Sequence, residues 1–150
     1  MRIGVIGSGA VGAALASGLK RHGHDVMRGS RDPKKLEAWQ AGEGKGVAIG
    51  DPAETARFGE LVILAVKGEA AEEAVRGAGL DNLAGKPVLD ATNPISHGPP
   101  KDGVLGFFTG PNESLMERLQ KLAPAAHFVK AFSCVGSALM VDPKLPGGPP

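Results

Sequence analysis

Apolar residues along this chain fall into short runs, separated by stretches with helical spacing. "LVILAV", residues 61–66, is apolar at every position, the pattern of a strand covered on both faces. Further runs of strand character lie at residues 2–6, 25–28, 46–49, 87–91 and 127–132. Helical patterns occupy residues 10–22, 33–41, 52–57, 69–76 and 112–122. Strands alternating with helices predict parallel strands joined by right-handed crossovers, hence an α/β fold with a doubly wound parallel sheet.

Local signals place several boundaries. Gly23 follows the basic turn "LKRH" and should end the first helix. Asp32 and Pro33 read as N-cap and first residue of the second. Ser114 and Glu117 match a capping box inside "PNESLMERLQKL", with Asn112 as the alternative cap. Residues 93–111, "NPISHGPPKDGVLGFFTGP", break the alternation with four prolines and four glycines. A connection of that length is a lid, a binding loop or disordered.

Composition narrows the partners. The 150 residues make one domain by size, read as 1–142 with a tail at 143–150. Seventeen basic against sixteen acidic residues leave a charge of +1 and no charged run, which argues against nucleic acid and membrane and for a small molecule. Cys134 is the single cysteine, so no internal disulfide forms, and a cytoplasmic location is expected. The N-terminal "MRIGVIG" is too short for a signal or membrane segment, and no metal-ligand cluster is visible. With aromatics at 4%, the core must come from Val, Leu, Ile and Ala.

"GSGAVG", residues 7–12, has the spacing G-x-G-x-x-G. Alone that is weak in a chain with 23 glycines. Its context raises its value: a strand feeds it, a helix begins within it and a second strand follows, completing a βαβ unit of about thirty residues that indicates an NAD(P)-binding Rossmann fold. Gly7 takes the tight turn, Gly9 lets the backbone approach a pyrophosphate, and Gly12 with Ala13 and Ala16 packs helix on sheet. Ser8, Ala10 and Val11 complete the turn, with free N–H groups at the positive end of the helix.

The end of the second strand reports which dinucleotide is held. An NAD site places Asp or Glu there for the ribose 2′-OH, whereas this chain reads "RGSRDPKK". Ser30 and Arg31 stand at that place, and Arg31 can pair with a 2′-phosphate. Charge-assisted bonds of about 1.5 to 3 kcal/mol each would favour the phosphorylated cofactor by roughly tenfold or more. Lys34 and Lys35 oppose the dipole of the helix they begin, as expected if an anion lies nearby. The expected cofactor is NADP(H). Strand ends on the crevice nominate further contacts: Ala65, Val66 and Lys67, then Asn93, then Ser133 and Ser137 near the nicotinamide. Asn93 is equally an Asn-Pro turn.

"MRIGVIGSGAVG", "GSRDPKK", "LAVKG", "DATNPI" and "FVKAFSCVGSALM" together resemble the NADP oxidoreductases that use an 8-hydroxy-5-deazaflavin coenzyme, and their bacterial NADPH-dependent relatives. The resemblance runs along essentially the whole chain. It implies hydride transfer between nicotinamide and a deazaflavin ring as co-substrate. By motif it places residues 8–11 at the pyrophosphate and Ser30, Arg31 and Lys35 at the 2′-phosphate. Val66 then lies near the cofactor, with Val135 and Ser137 near the nicotinamide. Members of that family continue past "PGGPP", so the tail is expected to begin a further portion that would cover apolar surface; a homodimer is expected without it. Cys134 departs from the small residues usual at its position and is given no catalytic role.

No acid–base constellation is evident, which suits hydride transfer between stacked rings. Of the histidines, His97 in the long loop lies nearest the expected site. Two other readings stay open: an NADPH-dependent imine or carbonyl reductase, and a non-catalytic NADP(H)-binding or sensing module.

Overall fold

The computed structural model describes residues 1–144 and 147 of the chain. Six strands form one sheet: β1 (Arg2–Ile6), β2 (Asp25–Gly29), β3 (Ala48–Gly50), β4 (Leu61–Leu64), β5 (Pro87–Asp90) and β6 (His127–Lys130). All neighbours are parallel, in the order β3-β2-β1-β4-β5-β6. The direction of winding therefore reverses between β1 and β4, and the chain leaves a crevice at their carboxyl ends. The doubly wound α/β sheet read from the sequence is the fold observed.

Alternation along the strands explains the two layers. In β1, Ile3 and Val5 face one side with Leu15, Ala16, Val26 and Val47, while Ile6 faces the other. In β4, Ile63 joins the first group; Val62 and Leu64 join Val75, Leu83, Val88 and Leu119. Each such side chain contributes about 1.5 to 3 kcal/mol on burial. Helix α1 (Ala10–Arg21) covers the first face. The second is covered by α3 (Pro52–Phe58), α4 (Ala71–Ala78), α5 (Leu80–Leu83) and α6 (Leu115–Leu122), while α2 (Glu37–Ala41) flanks β3.

Several boundaries differ from those expected. β4, β5 and β6 end one or two residues early: Ala65, Ala91 and Ala131 each donate one last N–H to the neighbouring strand, at 2.8 to 3.1 Å, before the chain turns away, and Ala65 and Val66 then line the crevice. β3 starts at Ala48, after a turn in which Val47 N–H donates to Gly44 O at 2.9 Å. The second helix opens as a 3-10 turn, Pro33–Leu36, and Asp32 does not cap it. Its amide instead donates to Ser30 Oγ at 3.3 Å, and its carboxylate lies 4.0 Å from Lys35 Nζ. The fourth helix also opens on a 3-10 turn, Gly68–Ala70; Gly79, at φ 82°, then separates α4 from α5, a helix not foreseen. Ser114, rather than Asn112, caps α6, with the reciprocal Glu117 bond in place. The tail at 143–150 lies mostly outside the described residues.

Candidate functional site

β1 delivers the chain into the glycine loop at Gly7. Its N–H donates to Gly29 O at 2.9 Å, tying the loop to the end of β2. Its φ is 153°, and a Cβ there would stand 2.1 Å from Ala65 O. Only glycine fits. A Cβ on Gly12 would stand 2.4 Å from Gly7 O, so α1 packs directly on the loop from which it grows. Gly9 is different: it is the N-cap of α1, and nothing lies within 4 Å of where its Cβ would be. No side chain caps α1, which leaves its first-turn N–H groups open to an anion.

The open space is a cleft of about 490 Å³ at the carboxyl ends of β1, β2 and β4. Gly7, Ser8 and Gly9 form its floor, Ser30 and Arg31 one wall, and Ala65, Val66 and Lys67 the other. Helix α4 roofs it with Glu73, Ala74 and Gly77. Arg31 reaches across the mouth and donates from Nη1 to both carboxylate oxygens of Glu73, each at 3.2 Å. Both side chains are largely exposed, so the pair is worth little and leaves the guanidinium available to a stronger anion.

The other nominated residues are dispersed. Ala10, Val11 and Gly12 lie in the first turn of α1, beside the floor. Lys35 is exposed beside Asp32 and does not line the cleft. Asn93 Nδ2 donates to Ser133 O at 2.9 Å, joining the end of β5 to the segment after β6. Val135 is exposed, and Ser137 opens a 3-10 turn on a second pocket of about 400 Å³ against Ser17 and Arg21 of α1. His97 is exposed, with Nδ1 4.0 Å from Glu69 Oε2.

Two clusters went unremarked in the sequence. Arg28, on β2, is 1% exposed and donates from Nε to Gly7 O and from Nη2 to Gly9 O, both at 2.9 Å. Its guanidinium lies over Trp39 at 4.2 Å from the ring centre, and burial lowers its pKa from the ordinary value. An arginine following Val26 and Met27 in the strand β2 was the available signal. At the far side, Asp90 is fully buried and accepts from Lys130 Nζ at 2.8 Å and Thr92 Oγ1 at 2.6 Å. That pair fixes the ends of β5 and β6 against each other. Among the described residues no His, Cys, Asp and Glu group could hold a metal, and no helix is long and apolar enough to cross a membrane.

The sequence profile of the family described as "NADP oxidoreductase coenzyme F420-dependent" matches residues 2–94. No curated protein sequence matches the chain. Among solved structures, a proposed F420-dependent NADP-reductase from Arthrobacter sp. FB24 is 36% identical, with a TM-score of 0.86 over 95% of this chain and 66% of its own. Hypothetical protein SMa0349 from Sinorhizobium meliloti is 26% identical, with a TM-score of 0.72 over 93% of this chain and 64% of its own. A reductive aminase from Aspergillus terreus, in complex with NADPH and ethyl levulinate, shares the fold at 22% identity, with a TM-score of 0.60 over 86% of this chain and 39% of its own. The chain thus spans less than two thirds of the length of each of these structures.

Proposed function

The chain belongs to the family of coenzyme F420-dependent NADP oxidoreductases, and we propose on that footing that its cleft binds NADP(H) for hydride exchange with a deazaflavin or similar small redox acceptor. The residues present fit the cofactor. Beyond Gly9 there is open space where a side chain would stand, the first-turn N–H groups of α1 lack a side-chain cap, and Arg31 stands at the opposite mouth. The pyrophosphate would meet Ser8, Gly9 and Ala10 at the helix N-terminus. Ser30 and Arg31 would hold the 2′-phosphate, with Lys35 close enough along the chain to add to the field there. Bound there, the nicotinamide supplies the hydride.

The protein's part is then placement. Val66 and Lys67 bound the cleft on the β4 side, and beyond them, after β5, Asn93 is held to the Ser133 carbonyl. Val135 lies on the segment that follows and would approach the nicotinamide end of the cofactor, whereas Ser137 faces the second pocket against α1. Hydride transfer asks for two rings at a fixed distance and angle rather than for a proton donor.

The observation that carries this reading is Arg31 at the mouth, where an NAD site would present a carboxylate. Calorimetric titration tests it. Wild-type protein should bind NADP⁺ more tightly than NAD⁺, and Arg31→Ala should erase roughly tenfold or more of that preference while leaving NAD⁺ little changed. Tighter binding of NAD⁺ by the wild type would overturn the assignment. The acceptor is identified by following loss of reduced nicotinamide absorbance with a deazaflavin, an imine and a carbonyl in turn. Turnover only with imines or carbonyls, or binding without turnover, would replace the deazaflavin reading.

A further inference from the structure

A cation inside a strand must be satisfied by its surroundings. For Arg28 the partners are two backbone carbonyls and an aromatic face. Among the described residues no carboxylate pairs with it, so its positive charge is uncompensated beneath the glycine loop. Residues 7–12 carry no charged side chain of their own. In a trans peptide the C=O and the following N–H point in opposite directions. Drawing Gly7 O inward therefore turns the Ser8 N–H outward, and drawing Gly9 O inward does the same for the Ala10 N–H. The guanidinium thus sets the Ser8 amide through Gly7 O, and it shares Gly9 O with the Ala13 N–H, at 3.0 Å, in setting the Ala10 amide.

We propose that Arg28 is a positioning residue for the pyrophosphate subsite, aiming the Ser8 and Ala10 amides and supplying from below the positive charge that the loop lacks. The inference rests on the cleft being the NADP(H) site. A neutral strand residue of the same volume, such as methionine, would fill the space above Trp39 but leave both carbonyls without that donor. The loop would then keep its place in the fold and lose its grip on the phosphates.

The test compares two ligands that share the 2′-phosphate but not the pyrophosphate: NADP⁺ and 2′-AMP, each titrated calorimetrically into the wild type, Arg28→Met and Arg28→Lys. Arg28→Met should weaken NADP⁺ tenfold or more and leave 2′-AMP within twofold. Arg28→Lys keeps the charge but not the fork and should fall between. If Arg28→Met does not fold, Arg28→Lys carries the test, with NADP⁺ weakened at least threefold at unchanged 2′-AMP affinity. Unchanged NADP⁺ affinity, or an equal loss for both ligands, would overturn the proposal in favour of a purely structural arginine. Wild-type protein that binds neither ligand would instead overturn the cofactor reading, and this inference with it.

Discussion

Residues 7–12 and residues 93–111 are both connections that leave the carboxyl edge of the sheet, and they are built in opposite ways. The first is fixed by backbone against backbone: Gly7 against Ala65 O, Gly12 against Gly7 O, and the Arg28 fork beneath. The second is pinned by isolated bridges, Ile95 with Phe107 and Lys101 with Val104, and leaves Val104 69% and Phe107 59% exposed. Its neighbourhood is held by polar side chains, through Asp90 with Lys130, Asn93 with Ser133, and the Ser114–Glu117 box. A loop packed backbone against backbone leaves no room for added atoms at Gly7 or Gly12, whereas one pinned by a few bridges and by polar side chains yields to substitution by degrees.

The widest separation between the two should come from adding one methyl group to each. Gly7→Ala puts a Cβ against a carbonyl at a φ that side chains rarely adopt. Strain and overpacking together should cost on the order of 3 kcal/mol or more. For a domain of this size that lowers the melting temperature by roughly 6–12 °C. Gly110→Ala meets nothing within 4 Å and should stay within about 0.5 kcal/mol of the wild type. Equal melting temperatures for the two variants would erase the contrast.

A smaller effect should follow from cutting the strongest polar tie on the other side. Lys130→Ala leaves the Asp90 carboxylate buried with only Thr92 to answer it. Stranding such a charge costs about 2–3 kcal/mol, and the double change Asp90→Asn with Lys130→Ala should recover part of the loss. Urea denaturation of the three variants measures it; a Lys130→Ala midpoint equal to the wild type would show that the pair holds nothing together.

The same contrast decides what the sequence reveals. The βαβ unit was legible from residues 2–28 because its glycines are required by backbone contacts, and such requirements fix residue type at fixed spacing. Parallel pairing follows from the alternation, since parallel neighbours need crossovers. What escaped were contacts between residues distant along the chain. Arg28 was read only as part of a basic stretch, because its meaning depends on Trp39 and on carbonyls some twenty residues earlier. Asp32 looked like a cap until Ser30 Oγ took its amide. Val66 is apolar enough for a strand but lines the cleft, Phe132 leaves β6 at a φ of 61°, and the short helix α5 after Gly79 was not foreseen.

The weakest tie offers the finest test of side-chain control. Glu117 accepts from the Ser114 N–H at 2.7 Å, and that backbone bond, followed by the Ser114 side chain, holds its carboxyl below the ordinary value of 4.5. A carboxylate with a depressed pKa in the folded state contributes stability that is fully present above the unfolded value and is lost as pH falls through the folded one. In Glu117→Gln the amide oxygen still accepts the bond, but the charge near the N-terminus of α6 is gone. The wild type should therefore melt slightly above Glu117→Gln at pH 7, with the gap constant down to about pH 5 and closing as pH drops below 4.5. A gap that stays constant to pH 3 would assign the difference to hydrogen-bond geometry alone. One that opens on acidification would place the charge at odds with the helix, and would remove α6 from the elements fixed by polar side chains.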